Sequence, residues 1–187
     1  MNNRNVVRDI VLRFGKTLNE HSKHMKCFCA YGVQLEGWLK GEFLVFLDEL
    51  KSTKEIVNFD REVSSGSGRR KVDFCIEIST GVSSELIWVE IKHWLIGYQK
   101  GYKYNSLFYF GDPSSVGIKP DVEKLLEIER GSKFLLILAT ANPGDEWLTG
   151  VSRFNGKFSP LSLAPLTMPE EFPTSYFPGL LEVMKIS

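Results

Sequence analysis

The stretch RKVDFCIEISTGVSSELIWVEIKHW, residues 70–94, decides the fold because it has the pattern of two β-strands joined by a turn. Residues 71–78 alternate between apolar and polar side chains, and residues 85–92 carry Ile, Val and Ile at every second position. Residues 79–84, STGVSS, have the small and polar composition that is typical of a turn. The stretch therefore predicts an antiparallel β-hairpin.

A turn centred between Gly81 and Val82 places Asp73 directly opposite Glu90 on the neighbouring strand. Residues two apart on a strand share a face, so Lys92 projects beside Glu90. Two carboxylates at cross-strand distance repel each other unless a cation or a proton lies between them. Magnesium prefers oxygen ligands and keeps several waters, so two carboxylates suffice to hold it. A lysine beside the metal could orient or deprotonate a water, and the hairpin therefore has the groups that phosphodiester hydrolysis needs.

The opposite face of the hairpin is predicted to pack into the core through Val72, Phe74, Val89 and Ile91. An alternative interpretation of the charged face is a surface ion pair, with Lys92 paired to Asp73 across the strands. Tryptophans at positions 88 and 94, beside Glu90 and Lys92, argue against a fully solvated face.

The elements around the hairpin predict an α/β fold with a mixed central β-sheet flanked by helices. Apolar residues at helical spacing predict helices at 3–19, 35–51 and 121–130, and apolar runs predict strands at 56–63 and 133–139. The 187 residues match one domain, 1–187, with a core of about 35–139. The proline-rich residues 142–187 are expected to wrap this core irregularly, with one short strand near 151–154.

Asp73, a gap of sixteen residues and then Glu90-Ile91-Lys92 together resemble the motif of the PD-(D/E)XK nuclease superfamily, which includes restriction endonucleases and Holliday junction resolvases. Val72 stands where this family often has proline. The resemblance implies a restriction-endonuclease-like fold and magnesium- or manganese-dependent hydrolysis of DNA. It further implies that Asp73 and Glu90 hold the metal with the backbone carbonyl of Ile91, and that Lys92 positions the attacking water or stabilises charge on the phosphate.

The family often adds an acidic residue from the helix before the sheet, and this chain offers Glu36 and Glu42. Glu36 stands at helical spacing with Leu39 and Phe43, which should face the sheet, so Glu36 is the expected catalytic and metal-binding residue and Glu42 is the alternative. Glu77, on the same strand face as Asp73, is a further candidate ligand.

Two segments near the hairpin have the composition of nucleic-acid contacts. Arg69, Arg70 and Lys71 end a polar segment before the strand of Asp73, where they suit contacts to a phosphate backbone. Residues 93–105 interleave basic and aromatic side chains, as single-strand binding surfaces do, and the candidates there are Gln99, Lys100 and Tyr102. The alternatives are a solvated loop and an ordinary loop and helix with buried tyrosines.

The charge balance excludes a protein that binds nucleic acid through bulk positive charge. The chain has 23 Lys+Arg and 23 Asp+Glu and a formal net charge of zero, which leaves room for a local basic cleft. Neutrality also keeps a second function open, a non-catalytic subunit of the same fold that binds nucleic acid or a protein partner. Because no separate recognition domain fits this length, recognition would come from loops, a homodimer partner or a larger complex.

The sequence predicts a cytoplasmic protein without a membrane segment. No run of 18 uncharged apolar residues is present, and the first twenty residues lack the apolar run of a signal peptide. Three cysteines do not form a disulfide framework.

Two further patterns have a functional and a structural interpretation. His21, His24, Cys27 and Cys29 have zinc-ligand chemistry, but the alternative is a helix end that leads into a strand with inward cysteines. Asp121 and Lys124 are expected at the N-cap and first turn of the helix over 121–130.

Overall fold

In the computed structural model of the chain, the described residues are 3–64, 70–81, 83–95, 106–113, 117–140, 143–168 and 176–186, and they form six helices and six strands. The helices are α1 (Asn3–Glu20), α2 (Ser22–Tyr31), α3 (Glu36–Ser52), α4 (Ser106–Gly111), α5 (Lys119–Leu126) and α6 (Glu146–Lys157). The strands are β1 (Asn58–Ser64), β2 (Lys71–Ser79), β3 (Ser84–Trp94), β4 (Ser132–Ala139), β5 (Leu161–Leu166) and β6 (Phe177–Lys185). None of the helices among these residues is long and apolar enough to cross a membrane.

The strands form one mixed sheet in the order β1-β2-β3-β4-β6-β5. β3 and β4 are parallel, and the other neighbouring strands are antiparallel. Parallel neighbours require a crossover, and α4 and α5 lie on the connection between β3 and β4. The predicted α/β architecture, a mixed central sheet flanked by helices, is confirmed.

The predicted hairpin register is confirmed, because Phe74 pairs with Val89 and Ser79 pairs with Ser84. The ladder pairs end at Phe74 and Val89, and beyond them Asp73 and Glu90 lie next to each other through hydrogen bonds that involve their side chains.

Helices cover both faces of the sheet and enclose two apolar cores. α1, α2 and α3 pack on the first face, where Ile87, Val89 and Ile91 of β3 belong to the core. α4, α5 and α6 pack on the second face, where Trp88 and Trp94 of β3 are buried. Since side chains alternate along a strand, Glu90 and Lys92 project from β3 toward the second face.

The alternation of β2 breaks at Asp73, and the prediction that Val72 and Phe74 share one face is wrong. Val72 packs in the core of the second face, whereas Phe74 packs in that of the first. Across from Asp73, Glu62 of β1 has a φ of +52°, and the β1–β2 register has no pair there. Glutamate rarely adopts this left-handed conformation, so the sequence carries no signal for the break.

The prediction of an irregular C-terminal wrap is wrong for the described residues. The expected strand near 151–154 is part of α6, in which Val151 and Phe154 are buried one helical turn apart. β6 inserts between β4 and β5 and completes the sheet. Prolines are tolerated there because Pro165 lies on the edge strand β5 and Pro178 lies at the beginning of β6.

The segment before α3 also differs from its prediction as a helix end leading into a strand. Residues 22–31 form α2, in which Met25 is buried and Cys27 is exposed. Met25 and Phe28, one helical turn apart, supply its packed side. The side chain of Cys29 lies outside the described residues.

Candidate active site

Asp73 and Glu90 hold each other in place through backbone hydrogen bonds. The amide of Asp73 donates to Glu90 Oε2 over 3.1 Å. The amide of Ile91 donates to Asp73 Oδ2 over 2.8 Å. Each carboxylate is therefore bonded to the backbone of the other's strand, and the two acids lie side by side at the position where the alternation of β2 breaks.

Lys40 connects Asp73 to the first turns of α3. Its Nζ lies 2.9 Å from Asp73 Oδ1 and 2.8 Å from Glu36 Oε1. Glu36 and Lys40 are four residues apart on α3 and thus share one helix face.

Lys92 joins the two helical layers. Its Nζ lies 3.2 Å from Asp121 Oδ2 on α5 and 3.6 Å from Glu36 Oε2 on α3. The predicted alternative, an ion pair between Lys92 and Asp73, is not among the ion pairs of the described residues, in which Lys40 pairs with Asp73.

The ammonium group of Lys124 partly neutralises the charge of Glu90, the most buried carboxylate at the site. Its Nζ lies 2.5 Å from Glu90 Oε1 and 3.4 Å from Asp121 Oδ1, and only 3% of the Glu90 side chain is exposed. We call the full set the carboxylate–lysine cluster; its members are Glu36, Lys40, Asp73, Glu90, Lys92, Asp121 and Lys124. Four carboxylates against three ammonium groups leave one formal negative charge in excess.

The pKa shifts in this cluster show how its charges are arranged. Burial raises the pKa of Glu90 well above its ordinary value, the charges of Asp73 and Asp121 add to this, and Lys124 opposes it. Burial also acts to raise the pKa of Glu36, but Lys40 and Lys92 outweigh it and the net shift is downward.

Lys92 is a cation in this arrangement. Burial acts to lower its pKa, but Asp121 and Glu36 outweigh burial and raise it. A protonated lysine donates hydrogen bonds and stabilises negative charge, whereas it cannot accept a proton from water. A protonated Lys92 can still position a water or stabilise negative charge, and only the role of proton acceptor is disfavoured by this arrangement.

The carboxylate oxygens suit magnesium, although protein donors contact them in this arrangement. In both Asp73 and Glu90, one carboxylate oxygen contacts a lysine ammonium group and the other accepts a hydrogen bond from a backbone amide. Within the described ranges, no group of three or more His, Cys, Asp or Glu side chains is placed to hold a metal ion. Magnesium is commonly bound by one or two carboxylates together with waters and phosphate oxygens, so the pair fits it if the ammonium groups move aside.

Several predicted candidates lie away from this cluster. Glu42 contacts His21 Nε2 at 3.6 Å, on another side of α3. Glu77 is four residues along β2 from Asp73, about 13 Å away, and its charge helps to raise the pKa of Cys75 after burial and Asp60.

The described zinc candidates, His21, His24 and Cys27, are not brought together as a site. His21 stacks on His24 at 6.0 Å between ring centroids, while Cys27 is exposed on the same helical segment. His21, His24 and Cys27 belong to the described residues, among which no metal-binding group is found, while the side chain of Cys29 lies outside them.

The predicted nucleic-acid contacts are only partly described. Arg70 lies 3.1 Å from Glu127, and Lys71 lies 3.7 Å from Glu62, all on exposed side chains. Arg70 directly precedes β2, and Lys71 is its first residue, two positions before Asp73. Arg69, Gln99, Lys100 and Tyr102 lie outside the described residues.

Sequence reasoning missed the roles of Lys40, Asp121 and Lys124. The N-cap prediction for Asp121 is wrong, because the N-cap residue of α5 is Ile118 and Asp121 lies in the first turn. Asp121 is buried there and contacts Lys92 and Lys124. The spacing of the charged residues was a usable signal. Asp121 and Lys124 are three residues apart on α5, and Glu36 and Lys40 are four apart on α3, so each pair lies on one helix face.

Two clefts open on either side of the cluster. The larger, of about 300 Å³, is lined by Gly37, Lys40, Gly41, Leu44, Arg61, Glu62, Asp73 and Phe74. The smaller, of about 220 Å³, is lined by Gln34, Glu36, Lys92, His93, Trp94, Leu95 and Tyr109. Solvent and a ligand can therefore approach the cluster from both sides.

Comparison with known proteins gives no relative from which a function could be transferred. No protein-family model, no curated protein and no solved structure matches this chain. The functional argument therefore depends on the residues and their geometry.

Proposed function

We propose that the protein is a magnesium-dependent nuclease of the PD-(D/E)XK superfamily, with a restriction-endonuclease-like fold, that hydrolyses phosphodiester bonds in DNA. The observation that carries the proposal is the pairing of Asp73 with Glu90 at the break in β2, with Lys92 two residues further along β3. Carboxylates at this distance repel each other, and Lys40 and Lys124 balance their charge in the positions that a metal ion would take over.

Asp73 and Glu90 would hold Mg²⁺ or Mn²⁺, with the backbone carbonyl of Ile91 as the further expected ligand. The metal would polarise a phosphate oxygen and lower the pKa of a bound water. Glu36 and Asp121 hold Lys92 between the two layers, so its ammonium group is positioned to stabilise negative charge on the phosphate. Lys40 and Lys124 act as counterions of the two acids before a metal binds.

The larger cleft suits a nucleic-acid backbone. Gly37 and Gly41 lie four residues apart on α3, and a Cβ at either position would meet nothing within 4 Å, so this side of the helix is open. Lys40 and Arg61 line the same cleft as possible phosphate contacts, and they are paired there with Asp73 and Glu62. This local arrangement is compatible with a chain of zero formal charge.

The test is cleavage of supercoiled plasmid and of single- and double-stranded oligonucleotides, with magnesium, manganese or excess chelator. We expect nicking with either metal, none with chelator, and none from Asp73→Asn. Glu42→Gln, a carboxylate change outside the cluster, is the matched control and should cleave. Undiminished cleavage in chelator, or by Asp73→Asn, would contradict the proposed mechanism.

A second candidate function is a non-catalytic subunit of the same fold that binds nucleic acid or a protein partner. The favouring observation is that all four carboxylate oxygens of Asp73 and Glu90 already contact lysines or backbone amides. Metal-independent binding of the same oligonucleotides, without cleavage under any metal, would support this candidate over the first.

A further inference from the structure

Two residues that line the smaller cleft, His93 and Tyr109, each carry a buried polar atom without a partner in the described part of the chain. His93 and Tyr109 are each only 5% exposed. Neither His93 Nε2 nor Tyr109 Oη has a hydrogen-bond partner among the described residues. Leaving a buried donor unpaired costs free energy, so two such atoms in one cleft point to a ligand that satisfies them.

The hydrogen bonds of His93 determine which ring nitrogen carries its proton. The amide of Leu35 donates to His93 Nδ1 over 3.2 Å, so Nδ1 is the acceptor and the proton is on Nε2. Gln34 Oε1 lies 3.1 Å from Nδ1, and this contact fits an acceptor at Nδ1 once the Gln34 amide is flipped so that its NH₂ group faces the ring. His93 therefore presents an N–H donor on its Nε2 side.

Tyr109 presents its hydroxyl from a fixed ring. The ring stacks on Trp94 with centroids 5.2 Å apart and planes inclined by 10°. Burial raises the pKa of this phenol, with smaller contributions from Glu36 and Asp121, so the hydroxyl is neutral and able to donate.

The electrostatics of the cleft favour an anion. Lys92 supplies a protonated amine, and the first turn of the 17-residue helix α3 begins here without a side-chain N-cap hydrogen bond. Glu36, a carboxylate in the lining, already contacts Lys40 and Lys92. Lys92 is paired with both Glu36 and Asp121, so the unpaired donors among the described residues of the cleft are His93 Nε2–H and the Tyr109 hydroxyl.

We infer that the smaller cleft binds a phosphate group of the nucleic-acid strand, next to the phosphate that is cut, with His93 Nε2–H and Tyr109 Oη–H donating to its oxygens. The identity of this phosphate as part of the substrate rests on the proposed function. A volume of about 220 Å³ is below the ~300–1,000 Å³ of sites for whole small molecules, which suits a single group of a larger ligand.

The test separates the donors from their structural contacts. Tyr109→Phe removes only the hydroxyl. His93→Asn can keep an acceptor near the Leu35 amide, but it removes the donor at the position of Nε2. His93→Gln can keep a donor at the position of Nε2, but it removes the acceptor near the Leu35 amide. Tyr176→Phe is the matched control, because the Tyr176 hydroxyl donates to the Gly15 carbonyl over 2.7 Å, outside the cleft.

The first measurement is calorimetric titration of metal-free protein with inorganic phosphate. Tyr109→Phe and His93→Asn should each weaken phosphate binding by about tenfold, as expected for a lost hydrogen bond to a charged group, whereas His93→Gln and Tyr176→Phe should bind phosphate nearly as the wild type does. Unchanged affinity in both Tyr109→Phe and His93→Asn would overturn the inference.

The second measurement is the melting temperature without phosphate. Tyr109→Phe should leave it unchanged or raise it, because it removes an unpaired buried hydroxyl. Tyr176→Phe should lower it by about 2–4 °C, because it removes a buried hydrogen bond. A comparable loss in Tyr109→Phe would mean that the hydroxyl has a structural partner, which contradicts the inference.

A third measurement connects the cleft to the strand. The affinity of the Asp73→Asn variant is measured for oligonucleotides that each carry one methylphosphonate. We expect that the substitution lowers affinity at one position of the strand. Adding Tyr109→Phe to the variant should abolish this difference between positions. Free phosphate binding without such a position would overturn the assignment to the substrate strand. The phosphate titration does not depend on cleavage, so a nuclease without this subsite and a phosphate site without nuclease activity give different results.

Discussion

The carboxylate of Glu90 accepts a hydrogen bond from the amide of Asp73, and the carboxylate of Asp73 accepts one from the amide of Ile91, next to Glu90. The two acids are therefore fixed beside each other by the backbone, independently of any cation. Because Glu90 is also buried, its charged form is disfavoured and its pKa is raised. This relationship makes the pair both a candidate catalytic site and a source of instability.

Glu90→Gln should change the pH dependence of stability. A carboxyl whose pKa is raised in the folded state binds more protons than in the unfolded state, so folding stability falls as the pH rises from about 4.5 to the raised pKa. The variant lacks this proton, so its stability should fall less over that range and equal or exceed that of the wild type at its upper end. Urea denaturation at a series of pH values measures both. A steeper fall in the variant would contradict the raised pKa.

At a pH above the raised pKa of Glu90, Lys124→Met should destabilise the protein by about 1–3 kcal/mol, because it leaves the buried Glu90 carboxylate without its ammonium partner. In the Glu90→Gln background the same change should cost less than half as much, because the charge is gone. A double-mutant cycle by urea denaturation measures this coupling. Lys119→Met is the control on the same helix, where the more exposed pair with Glu123 should contribute under about 1 kcal/mol. Equal costs in both backgrounds would show that Lys124 does not act through Glu90.

Glu36→Gln should reduce single-turnover cleavage by at least tenfold at saturating magnesium, while Glu42→Gln should change it little. Glu36 contacts Lys40 and Lys92 within the cluster, whereas Glu42 contacts His21 outside it. The two substitutions are chemically identical and lie on one helix, so they control for each other. An inactive Glu42→Gln beside an active Glu36→Gln would reverse the assignment.

Gly41→Ala should stabilise the protein by about 0.5–1 kcal/mol, because alanine restricts the unfolded chain and has the higher helix propensity. The added Cβ meets nothing within 4 Å. Gly150→Ala is the opposite case on α6, because its Cβ would overlap the ring of Phe110 and should destabilise the protein. Chemical denaturation of both variants measures the contrast. Destabilisation by Gly41→Ala would show that this side of α3 is not open.

The parts of the site that were predictable are those fixed by local periodicity. The hairpin register from Phe74–Val89 to Ser79–Ser84 follows from the alternation of apolar residues and the position of the turn, and it brings Asp73 and Glu90 to the same end of the hairpin. The phase of α3 follows from Leu39 and Phe43, whose burial orients Glu36 and Lys40 relative to the sheet. The nuclease function, in contrast, stays a proposal, because a motif names residue types and not a reaction.

The sequence by itself determined the hairpin, the faces of the main helices and the α/β class, because each depends on side-chain spacing within one segment. Only the tertiary structure decided that Lys124 and Asp121 of α5 meet Glu90 and Lys92 of β3, and that β6 enters the sheet beside β4. These contacts join segments that are far apart along the chain, and local periodicity does not specify which layer a helix covers. The packing of both cores against the sheet specifies which layer each helix covers. This packing also brings the charges of two layers together at Lys92.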